Sequence, residues 1–316
     1  MTRRSTALAA TGLPLALTVA PVALAQPAGP PPAEPAAPPG QPAPATPPPA
    51  TEPPAAEVPT ASEPIGLNLD IGFATAYVFR GWNMFQNSSQ MDPHMLFAPG
   101  ASWAIGETGV TLAYWSAYQI TGSNIRANTE GAINVEQDLI VSYDMELTED
   151  LGLSLALASY LYPAADSNVM GTTMPVYLDP MVALSYAAPV DLSLAVSYFA
   201  GVQDQPDIWG SSYLYLNPKV GKSWELDEHV GLDLGLGYGL KIPNEGLEGD
   251  NIHDVTFTAA TPIYPGGPSA YVTPSVGLAW TNVEDVTDET TGEVIEAKGP
   301  GDGFVLWAGV NLGLDI

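Results

Sequence analysis

Between residue 65 and the C-terminus hydrophobic positions recur at every second residue, and no stretch holds a 3.6-residue period. The clearest run is 230–241. Val230, Leu232, Leu234, Leu236, Tyr238 and Leu240 share one face, and Gly231, Asp233, Gly235, Gly237, Gly239 and Lys241 share the other. In 151–161 Leu151, Leu153, Leu155, Leu157 and Leu161 oppose Gly152, Ser154, Ala156 and Ala158. The run 190–200 behaves the same way, and the last aligns Phe304, Leu306, Val310, Leu312, Leu314 and Ile316. The pattern predicts twelve strands, at 65–80, 94–105, 108–119, 132–147, 151–161, 175–187, 190–200, 212–225, 229–241, 252–260, 269–280 and 303–316.

The connections alternate in length. Short ones fall at Gly106-Glu107, 148–150, Ala188-Pro189, 226–228 and 261–268; long ones at 81–93, 120–131, 162–174, 201–211, 242–251 and 281–302. An even strand count with tight turns at one end and long polar loops at the other is the layout of an outer-membrane barrel. Outward aromatics fit it. Tyr77, Phe79, Tyr118, Tyr198, Tyr238, Trp280 and Phe304 gather at the loop ends, and Trp103, Tyr143, Tyr186 and Trp224 at the turn ends, as two membrane interfaces select. In lipid every backbone polar group needs an internal partner, so the sheet must close on itself. The expected fold is all-β, a twelve-stranded transmembrane antiparallel barrel over residues 65–316. One feature resists: Tyr177-Leu178-Asp179-Pro180, Tyr215-Leu216-Asn217-Pro218 and Tyr271-Val272-Thr273-Pro274, with Ala98-Pro99 as an echo, put prolines inside strands. Proline cannot donate to a ladder; all four fall on the predicted lipid face, where a bulge or an unpaired carbonyl is the expectation.

Composition agrees. Charged residues are 14% of the 316-residue chain, against about 25% in an average soluble domain, while hydrophobics reach 46%. Eight Lys+Arg face 35 Asp+Glu, a net charge of −27, which excludes a nucleic-acid partner. With no Cys there is no disulfide framework and no thiolate metal site. Residues 1–25 read as a signal peptide: Arg3 and Arg4, an apolar stretch over 7–19, then Ala23-Leu24-Ala25 before Gln26. Residues 26–64 hold 16 of the 32 prolines and have nothing to bury, so they read as a disordered Pro/Ala-rich linker, a spacer or a tether to the cell wall.

The segment 71–82, above all Ala76-Tyr77-Val78-Phe79-Arg80-Gly81, resembles the first strand of the TorF-like family of outer-membrane porins. Members carry Tyr-x-Phe-Arg-Gly there, with a preceding serine in whose place this chain has Ala76. Over 103–316 the likeness is one of layout. The resemblance implies a porin-like barrel and no defined substrate. It also implies recognition by the barrel assembly machinery, although such barrels end in Phe and this chain ends in Ile316.

The face opposite each apolar face is the expected lumen. It carries Asp70, Glu136, Asp138, Asp144, Asp179, Asp191, Glu225 and Asp233 against Arg80, Lys219 and Lys241, among Gly, Ala, Ser, Asn and Thr. Small polar linings with excess carboxylates favour cations. Enzymatic constellations are poor. Of three histidines, His94 and His253 lie near loop ends without a serine at a neighbouring alternating position, so a Ser–His pair is not expected, nor are any catalytic residues or cofactor. Glu136 and Asp138, two apart on one strand, read as lining rather than acid–base chemistry. The acidic stretch 284–293 lacks the spacing of a calcium loop and reads as solvated; no metal site is expected. The sequence thus points to an exported outer-membrane pore for small solutes, cation-preferring. The alternative is a closed barrel that anchors the outer membrane to the cell wall through its arm. Expected partners are lipid, the assembly machinery and, through 26–64, the wall.

Overall fold

The period-2 pattern closes into a single barrel. The computed structural model describes residues 65–84, 95–120, 135–163, 176–187, 189–202, 212–244, 251–267, 269–282, 286–287, 294–296 and 304–316. The predicted signal peptide and linker, His94 and most of the acidic stretch 284–293 lie outside these residues. In chain order the strands are β1 (Leu67–Ala74), β2 (Val78–Phe79), β3 (Trp82–Asn83), β4 (Leu96–Ala104), β5 (Val110–Gln119), β6 (Val135–Glu146), β7 (Leu151–Leu161) and β8 (Val176–Ala187), then β9 (Asp191–Gly201), β10 (Tyr213–Glu225), β11 (Gly231–Pro243), β12 (Ile252–Ala260), β13 (Ala270–Thr281), β14 (Val286–Thr287), β15 (Val294–Glu296) and β16 (Phe304–Asp315). Twelve of them, β1, β4 to β13 and β16, form the wall; each pairs antiparallel with its neighbours, and β1 closes on β16 with Ile71 opposite Leu312. The pairs β2/β3 and β14/β15 stand apart from it.

Alternation decides which face is which. Along β6, Leu139, Val141 and Tyr143 point outward while Glu136 and Asp138 are fully buried. Leu155, Leu157, Val182, Leu192, Leu194, Leu236 and Leu312 continue an exposed apolar belt around the outside. Trp103, Tyr143, Tyr186 and Trp224 ring it at the turn end, and Tyr198, Tyr238 and Phe304 at the loop end. Both chain ends of the barrel lie on the turn side, where the Ile316 amide donates to Leu67 O at 2.8 Å.

The prolines are solved without a bulge. Pro180 and Pro218 are exposed and stay in register with Leu157 and Leu194. On the other neighbour the ladder skips the proline and resumes unshifted, as from Leu216↔Leu240 to Lys219↔Gly237. Opposite Pro218 the Tyr238 carbonyl is served instead by Asn217 Nδ2 at 2.9 Å, so a side chain supplies the donor proline lacks.

One expectation fails. The first wall strand ends at Ala74, not near residue 80. The Thr75 amide donates to Ala308 O at 2.9 Å and the Thr75 hydroxyl accepts from the Ala308 amide at 3.0 Å, which pins the exit of β1 to β16. Beyond that point the chain turns into the barrel.

Candidate functional site

The residues that leave the wall form a two-stranded hairpin. Val78 pairs with Asn83 and Phe79 with Trp82, and the Met84 amide donates to Tyr77 O at 2.7 Å. Its tip is Arg80-Gly81, with φ of +49° and +83°. Two consecutive positive φ values are what a two-residue hairpin turn of this hand needs. Glycine adopts them freely. Arginine does not, and such a residue persists only where its surroundings hold it.

The surroundings are the lumen wall on every side. The Tyr77 hydroxyl donates to Glu136 Oε1 on β6 at 2.7 Å, and its ring lies 5.6 Å from that of Trp115 on β5. Phe79 meets Tyr160 of β7 edge-on at 5.8 Å. Ala76 and Val78 pack against Ala279, Val305 and Trp307 of β13 and β16. A methyl group on Gly81 would strike the Asp254 side chain on β12, so only glycine fits the turn there. A twelve-stranded barrel is about 24 Å across between backbones, from a strand spacing of ~4.8 Å and a tilt of ~40°. A two-stranded ribbon with its side chains is ~10 Å thick. Together with the lining side chains it narrows the section it crosses: Tyr77, Val78, Phe79 and Arg80 are all 8% exposed or less.

Arg80 is the most heavily held group. Nη2 is ion-paired to Asp179 Oδ2 on β8 and donates to Ser197 Oγ on β9 at 3.0 Å. Nη1 donates to the Tyr213 hydroxyl on β10 at 2.9 Å. The guanidinium carbon lies 4.4 Å from the ring centre of Tyr215, 4.9 Å from Phe79, 5.3 Å from Tyr213 and 5.8 Å from Phe199. Such stacking and forked hydrogen bonding suit arginine's flat, weakly hydrated head. Tyr177, Phe199 and Tyr213, on adjacent strands, stack at 5.0 and 5.1 Å.

The predicted lumen residues divide into two levels. Glu136, Asp138 and Asp179 face inward in the loop-side half, all 4% exposed or less, beside or beneath the hairpin. Asp144, Asp191 and Asp233 face inward near the turns, and Asp70 faces inward from β1 beside Gly100. Lys219 faces inward on β10, as does buried Lys241 on β11, and both feel the charge of Asp254. Arg80 is in the lumen but not on the wall, which corrects its placement on the first strand. Tyr77 and Phe79 leave the expected outer girdle for the same reason. Asp254, which accepts from the Tyr215 hydroxyl at 3.1 Å, and the inward aromatics Tyr160, Phe199, Tyr213 and Tyr215 were missed. Their even or odd phase within each run was the available signal. His253 meets the Tyr238 hydroxyl through Nδ1 at 2.5 Å, on the outer surface, and no serine among the described residues.

No protein-family model matches the chain, and no curated protein matches it. Among solved structures it is similar to the NanC porin (10% identity, 79% of this chain and 98% of that one, TM-score 0.41). It is also similar to the KdgM porin in complex with disordered oligogalacturonate (9%, 79% and 99%, TM-score 0.44). A third is LpxR from Salmonella typhimurium (13%, 79% and 100%, TM-score 0.41). These likenesses add nothing to the closed twelve-strand sheet already visible in the chain itself.

Proposed function

We propose that the chain is an outer-membrane barrel giving small solutes, cations above anions, a passive route whose narrow point is the hairpin at residues 75–84. The observation that carries the reading is the two-faced wall: an apolar belt between aromatic rings outside, and inside it carboxylates set among hydroxyls, amides and tyrosines. Only lipid makes such an exterior stable, and only a water-filled or plugged interior makes such a lining useful. Inward carboxylates outnumber the inward bases Arg80, Lys219 and Lys241 among the described residues, which favours cations in a low-dielectric passage. The reading includes export through the predicted signal peptide and assembly by the barrel machinery, and it assigns no catalytic role. The test is a planar bilayer under a KCl gradient. The expected reversal potential favours K⁺ and shrinks at about 1 M salt, where the Debye length is ~3 Å; a chloride-selective pore would defeat the proposal.

A second reading, a closed anchor, draws on the burial of the hairpin and on the position of Ile65 at the turn end. Channels that never open, even with residues 76–83 replaced by a short glycine link, favour that reading over the first.

A further inference from the structure

We propose that the wall residues holding Arg80 form a binding site for a guanidinium-bearing solute, and that Arg80 sits in it as a built-in stand-in for that solute. The inference rests on the pore reading for its purpose, not for its chemistry. Among the described residues the three hydrogen-bond acceptors around the guanidinium, Asp179, Ser197 and Tyr213, belong to β8, β9 and β10. So do three of the four rings that face it, Phe199, Tyr213 and Tyr215. When the hairpin withdraws, the wall keeps the whole set of partners: a carboxylate, two hydroxyls and flat aromatic faces. An emptied site would leave the Asp179 carboxylate without the counter-charge that Arg80 supplies.

The site also exceeds its present occupant. Asp179 Oδ1 is buried with no hydrogen-bond partner, while Oδ2 takes both the Arg80 ion pair and a Tyr160 hydroxyl at 3.3 Å. A carboxylate offers two parallel acceptors to a guanidinium, and Arg80 engages one. The other contacts account for the shortfall: Nη1 is turned to the Tyr213 hydroxyl and Nη2 is shared with Ser197 Oγ. A free guanidinium is not tethered to a backbone. An ammonium is a poorer match, being a strongly hydrated point charge with no plane to lay on the rings. The net charge of −27 concentrates cations of either kind at the barrel, so selection between them falls to this cage.

Arg80→Ala, full length and folded in detergent, vacates the site and lets the probes be ethylguanidinium, ethylammonium and neutral ethylurea. Ethylguanidinium should bind in a roughly millimolar range, as expected for so small a ligand. It should raise the temperature at which the folded, heat-modifiable barrel is lost and, in a bilayer, block at least half the current of the variant. Arg80→Ala/Asp179→Asn should show neither effect. Arg80→Gln repeats the measurement should the alanine variant fold poorly. Equal responses to ethylguanidinium and ethylurea, or to ethylguanidinium and ethylammonium, overturn the proposal, as does a response that survives loss of Asp179. Stabilisation by ethylguanidinium without current in any variant sinks the pore and spares the site; current indifferent to ethylguanidinium, with no stabilisation, does the reverse.

Discussion

Replacing Asp179 by alanine isolates the bond that seats the hairpin. The change removes the counter-charge of Arg80 and leaves the guanidinium 8% exposed, facing Ser197, Tyr213 and the rings. Breaking a buried ion pair by deleting one partner costs about 3–5 kcal/mol. At ~1.4 kcal/mol per tenfold, that shifts the hairpin's in/out equilibrium by about two to three and a half powers of ten. The wall itself should notice little, because the β8 backbone keeps its register with β7 on one side and β9 on the other. The readout is limited trypsin digestion of the folded barrel with mass spectrometry of the cut after Arg80. In the native chain that bond is buried in the lumen and should resist. In Asp179→Ala cleavage should rise by at least the lower of those factors, provided opening is fast relative to cutting. Tyr213→Phe, which removes one hydrogen bond to a charged group but keeps the ring, should fall between, at about 1.5–3 kcal/mol. Protection of Arg80 equal to the native chain in Asp179→Ala, with the barrel intact, would refute the claim that this pair holds the hairpin.

Four further outcomes are expected. Leu234→Arg places a cation on the outward face of β11 and should cost about 2–4 kcal/mol near mid-membrane, while Gly235→Ser on the inward face should leave the heat-modifiable band nearly intact; equal losses would reverse the face assignment. Gly81→Ala forces a side chain into a positive-φ position, at about 1–2 kcal/mol, and into Asp254, so it should raise single-channel current without unfolding the barrel. Adding Glu136→Gln with Asp138→Asn should then lower K⁺ preference more in that background than in the native one, where Tyr77 covers Glu136. Deleting residues 26–64 should leave the folded barrel unchanged and weaken its co-sedimentation with isolated cell wall, and unchanged sedimentation reduces the arm to a spacer.

The wall was legible because one physical rule governs each wall strand: successive side chains face opposite solvents, and here one of those is apolar. The hairpin was not legible by the same rule. Tyr77 and Phe79 continue the odd-numbered phase of Leu69, Ile71 and Phe73, and a ribbon that has left the sheet keeps period 2 as faithfully as one within it. What differs is the environment of that phase, lipid before Ala74 and packed lumen after it, and both select aromatics. The turn itself left a trace, since Arg80-Gly81 between Phe79 and Trp82 places glycine where a two-residue hairpin needs it. The prolines were hard for a related reason: the remedy opposite Pro218 is the side-chain amide of its neighbour Asn217, which no ladder rule reads from the sequence.

The charge arithmetic of the lumen gains meaning from where the bases lie. Counted along the sequence, too few cations face too many acids, and the excess reads as spread evenly through a pore. In space Arg80 and Lys241 gather with Asp179 and Asp254 at the level of the hairpin, and Lys219 reaches toward them from β10. The plug is therefore nearly self-neutralised, apart from Glu136 and Asp138 beneath Tyr77. The unopposed carboxylates are left nearer the turns, at Asp144, Asp191 and Asp233. A barrel organised in this way separates two tasks that a uniform lining would merge. On the proposed pore reading the turn-side vestibule would set the sign of the field, because among the described residues no base is paired with its carboxylates and their charge acts over a Debye length. On the same reading the hairpin level would set size and chemistry, because there charges are paired, buried and shaped by rings, so a solute would pass only by replacing contacts that are already made.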